Sequence, residues 1–113
     1  MEDTQLKRPK NIWTQKEYLL DFNMLETLED LFKLARARKK SPIEGSYTNQ
    51  LLTDKSLCKK KVLEEIGELI EAVDQNTNKT HEAADVFYHL IMYLEANEIK
   101  IEDVISELES RKK

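Results

Sequence analysis

Six acids in two neighbouring stretches of this sequence could do chemistry together. Glu64, Glu65, Glu68 and Glu71 fall in the first stretch, Glu82 and Asp85 in the second. Glu65 and Glu68 are three residues apart, as are Glu82 and Asp85. On a helix, residues three apart lie about 60° from one another around the axis. Two antiparallel helices could therefore aim four carboxylates at one spot. A solvated acidic face is the ordinary reading of such runs. Here the pattern resists it. Glu64–Glu68 and Glu68–Glu71 are like-charge neighbours on one helix, which is destabilising. No Lys or Arg follows any of the first four acids at four residues. The lysines precede them, Lys60 before Glu64 and Lys61 before Glu65, in the weaker orientation for a helical ion pair. Glu65 also borders the apolar stripe of its helix. Uncompensated acids at the edge of a buried face need a cation. Oxygen ligands alone select a hard one, Mg²⁺ or Mn²⁺, over zinc, which prefers His and Cys. Mg²⁺ held by carboxylates works with substrate phosphates, and attack on phosphorus is the chemistry that follows. Lys and Arg side chains would hold the remaining phosphate oxygens. His89 lies one turn after Asp85 on the same side, as a packed histidine or a substrate contact.

These residues need helices to position them, and the sequence supplies a helical pattern throughout. The chain has 113 residues, with only two glycines and two prolines. No stretch alternates like a strand, and no internal repeat or low-complexity segment is present. Leu28, Leu31, Phe32 and Ala35 predict a helix from about Thr27, a candidate cap. Arg36, Arg38, Lys39 and Lys40 crowd its last turn, where cations suit the helix dipole. Pro42 and Gly45 mark a loop over 41–47, and a short helical turn through Leu51 and Leu52 can follow. Val62, Ile66, Leu69 and Val73, widened by Leu63 and Ile70, predict a second long helix from about Ser56 to Gln75. Asn76, Thr77 and Asn78 leave only a short connection, so the next helix, from about Thr80 to Asn97, should pack back antiparallel. Ala83, Phe87, Leu90 and Leu94 form one face of it. Val86, Met92 and Tyr93 lie well off that face, so its second half is apolar nearly all round. That marks a buried helix, and in so short a chain a second copy is the expected cover. Ile101, Val104, Ile105 and Leu108 predict a last helix to about Arg111. The expected architecture is all-α, an antiparallel bundle of four to five helices completed by dimerisation.

Residues 1–23 read as an N-terminal extension, and 24–113 as one domain. The extension holds Lys7, Arg8, Pro9 and Lys10 before an apolar patch of Trp13, Tyr18, Leu19, Leu20 and Phe22. It reads as a packing arm with one short helix. The net charge of −4 argues against a nucleic-acid-binding surface. The single cysteine, Cys58, excludes an internal disulfide and reads as a core residue. No apolar run approaches the roughly 20 residues that span a bilayer. The N-terminus lacks a signal-peptide core. A cytoplasmic protein, with no nucleic-acid or membrane partner, is the expectation.

The run Glu64-Glu65-Ile66-Gly67-Glu68, thirteen residues, then Glu82-Ala83-Ala84-Asp85 resembles the EExxE…ExxD signature of the all-α nucleotide pyrophosphohydrolases. That superfamily includes MazG-like enzymes and dimeric dUTPases. Glu44-Gly45-Ser46-Tyr47-Thr48 resembles the Gly-Ser-Tyr-Thr loop of phosphoribosyl-ATP pyrophosphohydrolases. Lys60-Lys61 resembles their paired lysines, and the segment from Glu82 to Leu90 with the helix after Ile101 resembles their ending. The resemblance covers about residues 25–111. It implies Mg²⁺-dependent hydrolysis of phosphoribosyl-ATP to phosphoribosyl-AMP and pyrophosphate, the second step of histidine biosynthesis. Carried over residue by residue, it makes Glu65, Glu68, Glu82 and Asp85 the metal ligands. Glu64 becomes a supporting acid or the base that orients water, so that Glu64, Glu65 and Lys61 carry the catalysis. Lys60 and Lys61 would contact phosphate, and Ser46, Tyr47, Thr48 and His89 would contact the nucleotide. The sequence departs from the family pattern at Leu63, Gly67 and His81. Its Glu65-Ile66-Gly67-Glu68-Leu69 run is closer to the MazG-like branch. A nucleoside triphosphate pyrophosphohydrolase that clears dNTPs is therefore the alternative reading. A non-catalytic helical interaction module is a third. In some organisms this enzyme is fused to the cyclohydrolase of the next step, for which 113 residues leave no room, so a stand-alone enzyme is expected.

Overall fold

The computed structural model describes residues 22–112, which form five α-helices and no strand. They are α1 (Phe22–Lys40), α2 (Tyr47–Thr53), α3 (Lys55–Gln75), α4 (Lys79–Ala96) and α5 (Ile101–Ser110). The all-helical bundle expected from the periodicity is the fold. The expected N-terminal arm with its own short helix lies outside the described residues, except that Phe22 opens α1.

Three helix boundaries or faces differ from expectation, each for a local reason. α1 begins five residues before Thr27, so Thr27 sits inside the helix and caps nothing. α3 is capped by Asp54, whose carboxylate accepts from the Leu57 N–H at 3.0 Å. Ser56 is already helical. Both residue types cap well, and the preceding short helix ending at Thr53 leaves Asp54 as the junction. In α4 the buried set is His89, Ile91, Met92, Glu95 and Ala96. The apolar face read from the sequence, Ala83–Phe87–Leu90–Leu94, is not that set: Phe87 is 53% and Leu90 38% exposed within the single chain. Periodicity shows that α4 is apolar on several sides. It does not show which side the rest of the chain covers.

The core forms where α1, α2, α3 and α4 meet. Ala35, Leu51, Leu52, Cys58, Ile91 and Met92 are buried together, with Leu28, Leu31, Phe32, Leu57, Tyr88 and Tyr93 packed around them. On α1 these side chains recur at 28, 31, 32 and 35, the spacing of one helical stripe. Cys58 is fully buried, and burial pushes its thiol pKa up. α3 and α4 make the most extensive helix pair, joined by a three-residue turn. Asn76 and Asn78 take left-handed conformations in that turn, with φ 56° and 42°, a region that Asn tolerates better than most residues. Thr77 N–H closes onto the Ala72 carbonyl at 2.9 Å. Gly45, with φ 82°, takes a left-handed conformation just before α2, and Glu98, with φ 61°, does so between α4 and α5.

An ionic knot ties the far end of the bundle. Glu95 is buried, and Arg36 Nε donates to its carboxylate at 3.2 Å. The same guanidinium forks onto Glu102 at 2.9 and 2.7 Å. Lys39 Nζ donates to the Glu95 carbonyl at 2.7 Å. The cations that end α1 therefore reach across to α4 and α5, beyond any role at their own helix terminus. The Arg36 hydrogen bonds hold the Glu102 carboxyl down at about 2. α5 has no buried residue of its own.

Candidate active site

The acids sit where α3 and α4 face each other. Glu65 lies one helical face over from the stripe at Leu63, Ile66, Ile70 and Val73, and it is buried with Cys58, Val62 and Ala72. Its charge reaches Glu82 on α4, while the Asp85 carboxylate lies 3.4 Å from His81 Nε2 on its own helix. The ligand-capable atoms form two tight groups, Glu64 with Glu65 and Glu68, and His81 with Glu82 and Asp85. The atoms within each group lie within 4.8 Å of one another. The two groups also feel each other. Burial first, then the charges of Glu68, Asp85 and Glu65, push the Glu82 carboxyl above its ordinary range, with His81 opposing. Glu65, Glu68, Glu82 and Asp85 are therefore one electrostatic cluster drawn from two helices.

Among the described residues, the buried side-chain oxygens without a hydrogen-bond partner are Glu65 Oε1 and Glu82 Oε1. An unsatisfied buried polar atom is costly, and a carboxylate oxygen more so. One such atom on each facing helix is what a hard cation between them would satisfy. The donor set, all carboxylate oxygen apart from the peripheral His81, fits Mg²⁺ or Mn²⁺. The expected metal ligands are thus brought together, and their chemistry fits the group.

The lysines divide. Lys61 Nζ is 2.6 Å from Glu64 Oε1 and 3.7 Å from Glu65 Oε2. The hydrogen bond to Lys61 holds the Glu64 carboxyl below its ordinary range, and the same bond raises Lys61. Lys61 thus stands at the edge of the cluster as a neutralising cation. Lys60 is exposed one turn before Glu64, whose carboxyl it helps to keep ionised.

The Ser46-Tyr47-Thr48 segment is the start of α2, and each residue has a different task. Ser46 is the N-cap: its oxygen accepts from Asn49 N–H at 3.2 Å and from Arg38 Nη1 at 2.9 Å. Thr48 is buried, and its hydroxyl hydrogen-bonds the Tyr88 hydroxyl on α4. The Tyr47 hydroxyl meets His89 Nε2 at 2.9 Å, and His89 Nδ1 meets the Asp85 carbonyl at 2.7 Å. Tyr47 and Tyr88 stack with ring centroids 6.4 Å apart, and the His89 ring stands edge-on to both. Burial raises the Tyr47 phenol, against the pull of Lys61. The loop expected to bind nucleotide is therefore clamped onto α4 beside Asp85. His89, expected to touch substrate, has both ring nitrogens engaged by the protein.

Two residues in this arrangement carried no sequence signal as site residues. Tyr88 reads as core or interface by its period, yet its hydroxyl anchors Thr48. Asn49 braces the loop, accepting from Ile43 N–H at 2.8 Å and donating to the Arg38 carbonyl at 3.0 Å. An Asn in the first turn of a helix is too common a capping residue to be marked out.

A helical hairpin with a two-sided carboxylate cluster, a lysine at its edge and a tyrosine–histidine clamp defines an all-α protein whose facing acids have the donor chemistry for a hard cation. The phosphoribosyl-ATP pyrophosphohydrolase family model matches residues 25–112, and the chain belongs to that family. Its relatives include the phosphoribosyl-ATP pyrophosphatase of Clostridium acetobutylicum, 42% identical over 76% of this chain and 81% of the relative. That of Halobacterium salinarum is 35% identical over 79% of this chain and the whole of the relative. The histidine biosynthesis bifunctional protein HisIE of Pyrococcus furiosus is 36% identical over 79% of this chain but 43% of its own length. No solved structure matches the chain.

Proposed function

We propose that this chain hydrolyses phosphoribosyl-ATP to phosphoribosyl-AMP and pyrophosphate, the second step of histidine biosynthesis, with Mg²⁺ held by Glu65, Glu68, Glu82 and Asp85. The observation that carries the proposal is the pair of buried, unpartnered carboxylate oxygens on facing helices, Glu65 Oε1 and Glu82 Oε1. Family membership supplies the substrate, and the names of the relatives, including the bifunctional histidine-biosynthesis protein, agree with it. When bound, the cation neutralises phosphate charge and lowers the pKa of a coordinated water. Mn²⁺, with the same preference for oxygen, can stand in for it.

The chain's own groups do the rest. Glu64 is kept ionised by Lys61 and so can accept a hydrogen bond from, or a proton of, the attacking water. Lys61 and Lys60 provide cations for phosphate oxygens. Ser46 caps and orients α2 so that Tyr47 and Thr48 border the nucleotide. Net charge −4 suits a small anionic ligand bridged by metal and fits no nucleic-acid surface. The working form is a homodimer. Leu63, Ile66, Ile70 and Val73 of α3 and Phe87 and Leu90 of α4 are all more than a third exposed. A contiguous apolar face of that kind marks an interface. No helix among the described residues is long and apolar enough to cross a membrane, and the place of action is the cytoplasm.

Pyrophosphate release, measured with Mg²⁺ on phosphoribosyl-ATP and on a panel of dNTPs, tests the reading. Release from phosphoribosyl-ATP alone is expected. Release only from dNTPs would move the chain to the dNTP-clearing reading while keeping the metal cluster.

A further inference from the structure

The hydrogen bonds that clamp α2 onto α4 have a polarity that can be worked out atom by atom. A backbone carbonyl oxygen only accepts. His89 Nδ1 lies 2.7 Å from the Asp85 carbonyl oxygen, so Nδ1 carries the ring proton. In the neutral imidazole Nε2 then holds a lone pair. Nε2 lies 2.9 Å from the Tyr47 hydroxyl oxygen, so the hydroxyl is the donor in that bond. The Tyr47 proton is committed inward, and the oxygen can offer only lone pairs to anything outside. Tyr47 is 42% exposed, whereas His89 is 6% exposed. The tyrosine is therefore the member of the pair that a ligand can reach. Lys61 is close enough for Tyr47 and Lys61 each to shift the other's titration.

We propose that His89 is a positioning residue: by taking the Tyr47 proton in a hydrogen bond, it presents the Tyr47 hydroxyl oxygen as an acceptor that reads a donor group of the nucleotide. Phosphates offer no donor at neutral pH, so they go to the lysines and the metal cluster. The donor left for Tyr47 is a sugar hydroxyl or an N–H of the base. This inference rests on the pyrophosphohydrolase reading for the identity of the ligand and on the hydrogen-bond geometry for the rest. It also removes His89 from direct contact with substrate, because both of its nitrogens are already bonded within the protein.

Two measurements test it. The first is independent of substrate. ¹⁵N NMR of the His89 ring at pH 8 should show the Nδ1–H tautomer, with an Nε2 resonance that moves in Tyr47→Phe. An Nε2–H tautomer overturns the proposal. The second is a double-mutant cycle with phosphoribosyl-ATP. His89→Asn keeps a donor near the Nδ1 position and loses the acceptor for Tyr47. Tyr47→Phe removes the hydroxyl itself. Each should raise KM about tenfold, the effect of one ordinary hydrogen bond, while kcat stays nearly unchanged. The double variant should be no worse than either single one, because both remove the same contact. His89→Gln, whose side-chain amide reaches the Nε2 position, should recover most of the loss. Single effects that multiply to about a hundredfold in the double variant would show two separate roles and overturn the proposal. Substrate analogues, each lacking one sugar hydroxyl or one base N–H, identify the donor. One analogue should show the tenfold penalty with the native chain and none with Tyr47→Phe. If every analogue is penalised equally by both proteins, Tyr47 reads no donor. A native chain that does not turn over phosphoribosyl-ATP overturns the functional reading instead, and the tautomer then decides the orientation of the pair alone.

Discussion

The two sides of α3 contrast sharply, although they share one backbone. One side carries Cys58, Val62, Glu65 and Ala72 and is buried against the rest of the chain. The other carries Leu63, Ile66, Ile70 and Val73 and is left open. The buried side thus contains a glutamate that is 6% exposed, while the open side contains an isoleucine, Ile70, that is 57% exposed. In a lone helix burial follows hydrophobicity, and here it is inverted at both positions. Each inversion points to something outside the single chain. A buried carboxylate with an unpartnered oxygen calls for a cation. An open stripe of branched aliphatic residues calls for another apolar surface. The same helix would therefore serve the proposed metal site on one side and the proposed dimer on the other.

The sharpest test of the acid cluster around the buried Glu65 is Glu68→Gln, a replacement at its exposed neighbour. It removes one carboxylate and one like-charge repulsion while keeping shape. Pyrophosphate release should fall by about 100-fold or more, with the melting temperature unchanged or raised. A variant that unfolds would make Glu68 a structural residue and dissolve the contrast. On the open side, Ile70→Glu should turn a dimer into a monomer by light scattering. The lost burial is worth about 2 kcal/mol per copy, and helical content by circular dichroism should be retained. If the native chain is already monomeric, the open face has no partner copy. The smallest effect links the cluster to stability. Millimolar Mg²⁺ should raise the melting temperature by a few degrees, since a ligand that binds only the folded state stabilises it. Glu65→Gln should abolish that rise. The rise should also shrink at acid pH. Glu82 titrates above its ordinary 4.5, so its proton binding favours the folded chain below that value. That contribution is lost as pH rises through the raised pKa, and there the metal takes over.

Much of the site was legible because helical spacing is rigid. Glu65 with Glu68, and Glu82 with Asp85, had to share a side of their helices whatever the tertiary arrangement. The short Asn76-Thr77-Asn78 connection forced the two helices together. The clamp was not legible. Tyr47, Thr48, Tyr88 and His89 are 40 or more residues apart across each bond, and nothing in a local pattern pairs them. Nor was the Arg36–Glu95–Glu102 knot, of which only Arg36 stood out in the sequence, as a helix-end cation.

By itself the sequence determined the long helices and the grouping of acids, because these depend on period and breakers within a few residues. Only the tertiary structure decided which flank of α4 is covered, that Asp54 and not Ser56 caps α3, and that His89 faces Tyr47. Those outcomes depend on which surfaces meet, and a one-dimensional pattern fixes how much apolar surface a helix offers without fixing what it meets.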